Sequence, residues 1–592
     1  MIAVSLGAEH ASDPRWERIG DPVRTPAWHV RRGDGAAVGA HVEGDLAVAV
    51  FGSGTLALGA TADAAAATLA ARWRRLGPAF LDGQGCDVAV LVADAGRGVL
   101  AGAVTTGPHK VWALRDGDAV SLATHSTLLG AGRAADRRYE DFLLAHGFVP
   151  EGASTFDGVH ALAAGAVTTF PDGVTRPIEA PAPPVLAHDT DPDHWPKQLH
   201  ELLLAAVEAR AGSAREHAVF LGGFDSALVA ALLVGLGHRV HAYTFGFEDH
   251  AYEQRNIDVV TQFLRADHTW VPITADVIGA GLAGFADVYS LPVSQPHYLL
   301  HTLAAARAAR ADGFDRVFNG DGCDAAFLGF PTVHRRATGV ASMARVPVPV
   351  VRAVRRLSSP EWFERHGGHV WRMGQGLLDE VEAPASVRGH LPFTILGAPS
   401  RARLRSGPAP AGAVPVDDIR VRLAAGADGL DPARRAFHGH GLTGQSATKV
   451  DGAVAATGLA QWSPYLAPEV RAFALSLPAE ALRPTDGSAA MGKDLLVRMS
   501  LDLELLPEVV VRQPKQSPST SPVDAWYAGP LRDQVLAQLD GLPFAWDRRY
   551  VENLLRPKWA EEQYRRRVSI DRHALRAIGL LVTYASFTAR AT

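Results

Sequence analysis

The sequence is poor in cysteine, with Cys86 and Cys323 the only two in 592 residues. Two cysteines cannot build the disulfide framework of a secreted domain, so we expect a reducing, cytoplasmic environment. No apolar run reaches the roughly 18 residues that a membrane-spanning helix requires. The amino terminus, MIAVSLGAEH, lacks the basic stretch of an export signal. The sequence therefore predicts neither export nor a membrane span.

A strong excess of charge of one sign is also missing. The formal net charge is -5, whereas a nucleic-acid-binding domain would carry a marked basic excess, so we expect no nucleic-acid partner. Hydrophobic residues make up 47% and charged residues 20% of the chain, which is typical of a globular protein. A chain of 592 residues exceeds the size of one hydrophobic core, which predicts two or more domains.

The pattern of apolar residues divides the chain in two. Residues 1–176 contain short apolar runs separated by Gly, Asp and Thr, which predict a β-rich first domain. Residues 177–196 are dense in proline and acidic residues and predict a linker. Residues 197–592 begin with a helical stretch and then alternate short strands with helices, which predicts a parallel α/β sheet. A helical part follows from about Ser386, with an exposed or mobile segment expected at 398–416.

The stretch LGGFDS follows an apolar strand predicted at 217–220. Its two glycines permit a tight turn, and a helix beginning near Ser226 would direct backbone N–H groups and the positive end of its dipole at an anion. Phosphate is the natural occupant. The Walker pattern GxxxxGKS/T is absent, which argues against an ordinary P-loop enzyme. A structural turn between strand and helix is the alternative.

A second glycine turn, NGDGCDAAFLGF, follows the strand predicted at 316–318. Asp225 and Asp324 would project from the same carboxyl edge of a parallel sheet, where such sheets bind ligands. Paired carboxylates suit Mg²⁺ completed by water and phosphate, although both could be turn-capping residues. Further on, Lys515 lies in a Ser/Pro-rich loop after an apolar, strand-like run and could reach over a nucleotide. The alternative for Lys515 is a solvated loop position.

These three motifs, in this order, resemble the asparagine synthetase family, whose synthetase domain belongs to the ATP pyrophosphatases. LGGFDS resembles the family's SGGxDS, NGDGCDAAFLGF resembles SGEGADELFGGY, and RQPKQ resembles the RQK segment. GLAQWSPYLAP resembles GLEVRVPFLD, and GKDLLVR, which contains Lys493, follows in the expected place. The resemblance spans about residues 197–526. It implies that Asp225 and Asp324 hold Mg²⁺, that Lys515 steadies the transition state, and that ATP is bound by Leu221, Gly222, Gly223, Asp225, Ser226, Gly320 and Gly322.

The first domain resembles, more weakly, the family's glutamine-hydrolysing domain, an Ntn-type α+β sandwich. That domain uses an amino-terminal cysteine as its nucleophile, whereas Ile2 stands at this position here. We therefore expect a degenerate domain that does not obtain ammonia from glutamine. Family members without this cysteine include β-lactam synthetases and lasso peptide cyclases, which join an amine and a carboxylate of one molecule. Asp321, at the position of a family Glu, would be the base for the amine, or only a turn residue.

Departures from the family pattern bear on the substrate. Leu221 replaces a serine, Ala325 replaces a glutamate, and Ala460, Gln461 and Trp462 replace Glu-Val-Arg. We expect that the pocket for free aspartate is not kept. The chain is most similar to a lasso peptide cyclase, which implies adenylation of an Asp or Glu side chain of a precursor peptide and attack by its terminal amine. It also implies a leader peptidase and a leader-recognition protein as partners.

Other assignments stay open. The chain could be a small-molecule amide ligase related to β-lactam synthetases, a divergent asparagine synthetase, or a non-catalytic pseudo-enzyme that binds peptide. Arginines between 335 and 356 could line a peptide groove, although such a run is more often a solvated helix face. His297 and His301 have the i, i+4 spacing of a zinc pair but lack the HExxH glutamate, which favours an ordinary helix pair. The GAGLAG segment at 279–284 lacks its own βαβ unit, which argues against a dinucleotide site.

Overall fold

The computed structural model describes most of the chain, in separate ranges. These are 2–6, 17–19, 28–30, 38–59, 61–105, 109–179, 191–247, 251–329, 378–391, 394–407, 409–442, 445–482, 492–513, 522–556 and 572–591, with a few isolated positions between 333 and 376. Lys515 and the arginines at 335, 336, 345, 352, 355 and 356 lie outside these ranges.

Two six-stranded antiparallel sheets form the amino-terminal part. One has the order β10-β8-β9-β1-β3-β2 and the other β12-β11-β7-β6-β5-β4. We call residues 2–177 the amino-terminal sandwich. Its strands are β1 Ile2–Leu6, β2 Glu17–Ile19, β3 Trp28–Val30, β4 Val38–Glu43, β5 Leu46–Phe51, β6 Ala89–Asp94, β7 Val99–Val104, β8 Trp112–Asp116, β9 Ala119–Ala123, β10 Val159–Ala161, β11 Ala166–Phe170 and β12 Val174–Pro177.

Every residue of β5 and β6 is buried, although antiparallel strands usually alternate buried and exposed positions. The cause is that both faces of this sheet are covered. Helix α2 (Ala62–Leu76) packs on the outer face through Leu69 and Trp73. The inner face shares a hydrophobic cluster with β8 and β9 of the other sheet. The two sheets therefore form a layered sandwich, as the short apolar runs predict.

A five-stranded parallel sheet forms the second part, with the order β15-β14-β13-β16-β17. Its strands are β13 Glu216–Phe220, β14 Arg239–Gly246, β15 Asp267–Pro272, β16 Arg316–Phe318 and β17 Ala460–Trp462. We call residues 195–591 the parallel-sheet unit. The predicted α/β fold with a parallel sheet is confirmed here. The linker expected at 177–196, between a first domain at 1–176 and a second at 197–592, stays a prediction.

Helices surround both parts. In chain order they are α1 Thr55–Leu58, α2, α3 Ser126–Gly130, α4 Glu140–His146, α5 Trp195–Ala211, α6 Phe224–Gly235, α7 Ala251–Leu264, α8 Ala275–Ala283, α9 Phe285–Val288, α10 Pro296–Ala311, α11 Cys323–Ala326, α12 Ala398–Leu404, α13 Val416–Ala425, α14 Pro432–Leu442, α15 Gln445–Thr457, α16 Pro468–Ser476, α17 Asp494–Asp502, α18 Glu508–Val511, α19 Val523–Ala528, α20 Arg532–Gln538, α21 Arg548–Leu554 and α22 Arg572–Thr588. No helix within the described ranges is both long enough and apolar enough to cross a membrane.

The sandwich and the parallel-sheet unit share hydrophobic cores. Val450, Val454 and Ala460 of the parallel-sheet unit pack in the cluster that fills the sandwich interior. A second, larger cluster joins Trp112 and Phe156 of the sandwich to helices α9, α10 and α22. Interfaces between domains are ordinarily small and polar. This one is built like a core, so the two parts hold a fixed relation.

One local prediction was wrong. The valine-rich run before residue 512 was expected to be a strand, but Glu508–Val511 forms the short helix α18, because Pro507 starts it and Arg512 N–H bonds to the Glu508 carbonyl at 2.9 Å.

The segment 398–416 was expected to be exposed or mobile, and many of its described residues are exposed. Leu404 and Arg405 differ, because both are buried and Arg405 pairs with Glu140 at 3.0 Å, which holds this part of the segment against the sandwich.

Candidate active site

The predicted glycine loop lies between β13 and α6, at the carboxyl edge of the parallel sheet. Gly222 and Gly223 are exposed, and their N–H groups both point at the Ser226 hydroxyl, at 2.9 and 3.3 Å. Leu221 differs from the glycines. Its side chain is buried in the core beneath α6, and its N–H donates to the Tyr243 carbonyl at 2.9 Å. The loop thus presents backbone donors from the glycines and a leucine that anchors it.

The space above the glycines is open. A Cβ atom placed on Gly222 or Gly223 would meet no atom within 4 Å. The amino end of the 12-residue helix α6 suits an anionic ligand, which would replace the Ser226 hydroxyl as the acceptor for the two glycine N–H groups. This geometry fits a nucleotide phosphate better than it fits a plain structural turn, in which glycines are needed because neighbouring atoms crowd them.

The second predicted loop packs directly against the first, because β16 pairs with β13 in parallel. A Cβ on Gly320 would lie 2.7 Å from the Asp225 Cβ and 2.9 Å from the Ser226 nitrogen, so only glycine fits there. Gly322 has a φ of +87°, a left-handed conformation that glycine adopts without strain. It precedes α11, whose first turn carries Asp324. The two glycines thus allow Asp225 and Asp324 to approach each other.

Lys493 joins these two aspartates. Its ammonium contacts the Asp225 carboxylate and lies 2.7 Å from Asp324 Oδ1, while its side chain is only 2% exposed. Lys493 is the N-cap of α17 and has a φ of 64°, which is uncommon for a residue with a side chain. Such strain occurs at functional sites when surrounding contacts enforce it. Here the two ion pairs hold the lysine in this conformation.

Burial and neighbouring charges shift the pKa values of Lys493 and Cys323. Burial opposes the charged form of Lys493, but the Asp225 and Asp324 carboxylates outweigh it and raise its pKa well above the usual range. Burial, followed by the Asp225 charge, raises the pKa of the neighbouring Cys323 thiol well above its usual value. Lys493 is therefore a fixed cation, and Cys323 is a neutral thiol that does not act as a nucleophile.

The carboxylates of Asp225 and Asp324 are the type of ligand that Mg²⁺ binds. Asp225 and Asp324 are each 22% exposed, so both side chains are in partial contact with solvent. Within the described ranges no group of three or more His, Cys, Asp or Glu side chains could enclose a metal. A pair of partly exposed carboxylates is a ligand set that Mg²⁺ can complete with water and phosphate.

Asp321 lies on the same loop and has a partner of its own. Lys449, from α15, places its ammonium 2.5 Å from Asp321 Oδ1. The backbone of Asp321 is held at both ends, by Asn319 Oδ1 at 3.0 Å and by the Ser463 hydroxyl at 2.6 Å. The other carboxylate oxygen, Oδ2, has no hydrogen-bond partner within the described part of the chain. One oxygen is thus paired with a cation, and the other is buried without a hydrogen-bond partner in the ranges that the structure describes.

Sequence reasoning missed several members of this site. Lys493 was noted only within a motif, and Lys449 and Tyr465 were not singled out. Tyr465 is fully buried, and its hydroxyl donates to the Asp225 carbonyl at 3.0 Å. A lysine between a glycine and a helix N-terminus, as in GKDLLVR, was the available signal for Lys493. Lys449 gave no local signal, because its partner lies 128 residues away.

The remaining cysteine is not poised for nucleophilic chemistry either. Cys86 is buried in the sandwich, and burial raises the pKa of its thiol to about 12. A thiolate is the reactive form of cysteine. Neither cysteine of the chain therefore offers a nucleophile that could hydrolyse glutamine.

Comparison with known proteins decides the family. The asparagine synthase family model matches residues 198–578, which is more than half of the 592-residue chain. The chain belongs to the asparagine synthase family. This family consists of ATP-dependent carbon–nitrogen ligases, and the matched region contains the glycine loop, Asp225, Asp321, Asp324, Lys449 and Lys493.

Individual relatives are distant. The chain is 27% identical over 271 residues to a protein of Mycobacterium bovis that is provisionally assigned as a glutamine-hydrolysing asparagine synthetase, and equally to its counterparts in two Mycobacterium tuberculosis strains. That match covers 44% of this chain and 39% of the relative, so it spans about two fifths of the relative's length. Among solved structures, an NMN synthetase from Francisella tularensis matches with 20% identity over 24% of this chain and 58% of its own, with a TM-score of 0.18. A likeness this slight supports no argument about activity.

Proposed function

We propose that this protein forms an intramolecular amide bond at the expense of ATP, acting on a precursor peptide as a lasso peptide macrocyclase. The peptide's Asp or Glu side-chain carboxylate attacks the α-phosphorus of ATP, giving an acyl-adenylate and pyrophosphate. The amino-terminal amine of the same peptide then attacks the acyl carbon, with AMP leaving and one proton released. The observation that carries the proposal is the convergence of Asp225 and Asp324 on Lys493, beside the exposed glycine loop.

The chain's own groups have distinct parts in this proposal. Gly222 and Gly223 would donate their N–H groups to phosphate oxygens. Bound Mg²⁺, held by Asp225 and Asp324, would neutralise charge on the pyrophosphate leaving group. Lys493 would hold the two carboxylates in place between turnovers, and Lys515 would lie over the nucleotide.

Asp321 would accept the proton from the attacking amine. An α-amine has a pKa of roughly 7.7 to 8.0, so much of it is protonated at neutral pH and a positioned base helps. The Lys449 ammonium, 2.5 Å from Oδ1, fixes the orientation of this carboxylate. The position of a base beside the adenylating loop favours amide formation over simple nucleotide binding.

The substrate assignment is supported by the strand β17. Ala460 is buried against the sandwich core, Gln461 is bonded to Asn319 at 3.3 Å, and the Trp462 ring packs on Phe318. These three positions carry no charge to pair with the charged groups of free aspartate. A substrate other than free aspartate is therefore favoured. Both cysteines are buried and lack thiolate character. This supports the proposal that the attacking amine belongs to the substrate and does not come from glutamine.

The amino-terminal sandwich is proposed to be a degenerate glutaminase-like domain of the Ntn type. We further propose that the protein works in the cytoplasm with a leader peptidase and a leader-recognition protein, which would deliver the trimmed peptide. These partners are implied by the resemblance to lasso peptide cyclases.

The test is a product analysis with ATP, Mg²⁺ and candidate peptides. We expect AMP, pyrophosphate and a peptide that has lost one water. A peptide acetylated at its amino terminus should still release pyrophosphate but form no ring, and a peptide with Asn in place of the reacting Asp should do neither.

Four further outcomes separate the alternatives. Turnover of free aspartate with ammonia would indicate a divergent asparagine synthetase, and turnover of a small amino acid without peptide would indicate a relative of the β-lactam synthetases. Formation of ADP would contradict adenylation. Absence of nucleotide turnover with every acid would identify a pseudo-enzyme.

A further inference from the structure

His109 of the sandwich reaches into the parallel-sheet unit. Its Nδ1 lies 3.0 Å from Asp451 Oδ1, and both side chains are almost fully buried. The Ser53 N–H points at the other ring nitrogen, Nε2, at 3.0 Å. Because Nε2 accepts this hydrogen bond, Nδ1 carries the proton and donates to the Asp451 carboxylate. The pair of bonds fixes the tautomer and the orientation of the imidazole.

Asp451 belongs to α15, the helix that carries Lys449. Lys449 is two residues earlier and holds Asp321 at 2.5 Å. A helix is a rigid element, so a shift of α15 that breaks the His109 contact also moves Lys449. His109 is thereby linked to the carboxylate of Asp321 through one helix turn.

A second line of hydrogen bonds leads from the sandwich to Asp321. The Ser53 hydroxyl accepts from Gln461 N–H at 3.2 Å, on the outer edge of β17. Gln461 Oε1 accepts from Asn319 Nδ2 at 3.3 Å, and Asn319 Oδ1 accepts from the Asp321 N–H at 3.0 Å. The hydrogen bonds through Gln461 and Asn319 thus hold the backbone of Asp321, while the contacts through α15 hold its side chain.

Both lines begin at the same place, the turn after β5 that contains Ser53. This turn is tight: Gly52 has a φ of +135°, and a Cβ there would lie 2.8 Å from the Asp87 carbonyl and 2.9 Å from His109 Nε2. The apolar cluster shared with Val450, Val454 and Ala460 encloses the contact. Hydrogen bonds in such surroundings are directional and costly to leave unmade.

We propose that the amino-terminal sandwich positions Asp321 for the amide-forming step, with His109 and Ser53 as the positioning residues. This inference rests on the proposed function and assigns the sandwich a role in it. A displacement of about 1 Å in a reacting group can lower a rate by about 100-fold. The glycine loop 221–226 is held by other contacts, so changing His109 should affect ring closure more than nucleotide binding.

The first experiment compares full-length His109→Ala, His109→Asn and Ser53→Ala with the wild type. Asn places its amide nitrogen near the position of Nδ1, so it can still donate to Asp451. We expect His109→Ala to lower kcat for ring closure by about 10- to 100-fold with a much smaller rise in the KM for ATP, and His109→Asn to recover most of the loss. Ser53→Ala, the milder change, keeps the test valid if His109→Ala does not fold.

The matched control is Asp94→Ala. Asp94 accepts a buried hydrogen bond from Trp73 at 2.9 Å, and both residues belong to the sandwich. This variant should lose comparable stability but keep kcat. Equal losses of kcat in Asp94→Ala and His109→Ala, or no recovery in His109→Asn, would show a merely structural effect and overturn the inference.

Hydrogen exchange tests positioning without any turnover. We expect backbone amides of residues 319–324 and of α15 to exchange at least about tenfold faster in His109→Ala, and to return toward wild-type rates in His109→Asn. Unchanged exchange would overturn the inference even if the wild type is active. A wild type without ligase activity would instead refute the proposed function, and faster exchange would then still establish that the sandwich holds this loop.

Discussion

The Lys493 ammonium lies 2.7 Å from the Asp324 carboxylate, in a place almost closed to solvent. The same ammonium contacts Asp225, so one cation serves two carboxylates. In the absence of nucleotide the lysine offsets the repulsion between them. This relationship leads to the first prediction.

Lys493→Met should abolish turnover and destabilise the protein. Removing one partner of a buried ion pair costs several kcal/mol, and we expect about 2 kcal/mol here because both carboxylates retain some contact with solvent. Without the ammonium, Asp225 and Asp324 repel each other, so added Mg²⁺ should raise the melting temperature of the variant more than that of the wild type. Thermal unfolding with and without MgCl₂ measures this.

The control is Lys493→Met combined with Asp324→Asn. This double variant lacks one carboxylate and should lose the extra stabilisation by Mg²⁺. An equal response to Mg²⁺ in all three proteins would argue against a magnesium site at these residues.

Asp321 and Lys449 should act as a unit in the amide-forming step. Asp321→Asn removes the proton acceptor and should lower ring closure by about 10² to 10⁴-fold, while pyrophosphate release continues. Lys449→Met should lower it by a smaller factor, since the carboxylate stays but loses its orientation. The double variant should be no slower than Asp321→Asn alone. Additive losses in this double-mutant cycle, measured as rates of ring closure, would contradict the pairing.

Leu221 and Gly222 are neighbours with opposite expected effects. Leu221→Ser restores the family residue but places a hydroxyl in the core, so the free energy of unfolding should fall by about 2–3 kcal/mol without a gain in ATP affinity. Gly222→Ala should leave the fold intact, because its Cβ meets no atom within 4 Å, but raise the KM for ATP about tenfold or more by filling the phosphate position. Urea unfolding and ATP titration of both variants test this. A Leu221→Ser protein that binds ATP more tightly would show that the serine hydroxyl reaches the nucleotide.

His297 should make the protein sensitive to acid. It is fully buried on α10, neither ring nitrogen has a hydrogen-bond partner among the described residues, and burial lowers its pKa to about 3. An unfolded histidine has a pKa near 6.5, so the unfolded chain binds more protons below that pH and stability falls as the pH drops from about 6.5 toward 3.

His297→Leu should therefore gain stability relative to the wild type as the pH falls. The difference in free energy of unfolding between variant and wild type should be about 2 kcal/mol larger at pH 5 than at pH 7. Urea unfolding at the two pH values measures the difference, and the pH 7 value serves as the internal reference. The same pH dependence in both proteins would mean that His297 gains a partner in solution.

Much of the parallel sheet could be predicted from the sequence, because its apolar strands are flanked by glycines and followed by periodic helices. The strands expected near 217–220 and 316–318 are confirmed as Glu216–Phe220 and Arg316–Phe318. Asp225 and Asp324 could be paired in advance, since parallel strands end at one edge. The structure adds that β13 and β16 are immediate neighbours, which brings the two aspartates onto one lysine.

The rest depended on contacts between distant segments. Strand β17 has three residues and pairs with β16 across more than 140 positions, so no local pattern marks it. The roles of Lys449 and His109 follow only from the position of α15, which contacts both the sandwich and the loop of Asp321. The valines of α18 favour a strand in isolation, but Pro507 and the packing around it produce a helical turn.

The shared core limits which truncations and sequence changes this protein can tolerate. Val450, Val454 and Ala460 pack among strands of the sandwich, and β17 presents its outer edge to Ser53. A version lacking the sandwich would leave an open strand edge and bare apolar side chains, which are templates for aggregation. A chimera with the sandwich of a relative would also need the residues of the parallel-sheet unit that contact that sandwich. The sandwich therefore cannot be removed from the protein, and its sequence can diverge freely only where it does not contact the parallel-sheet unit.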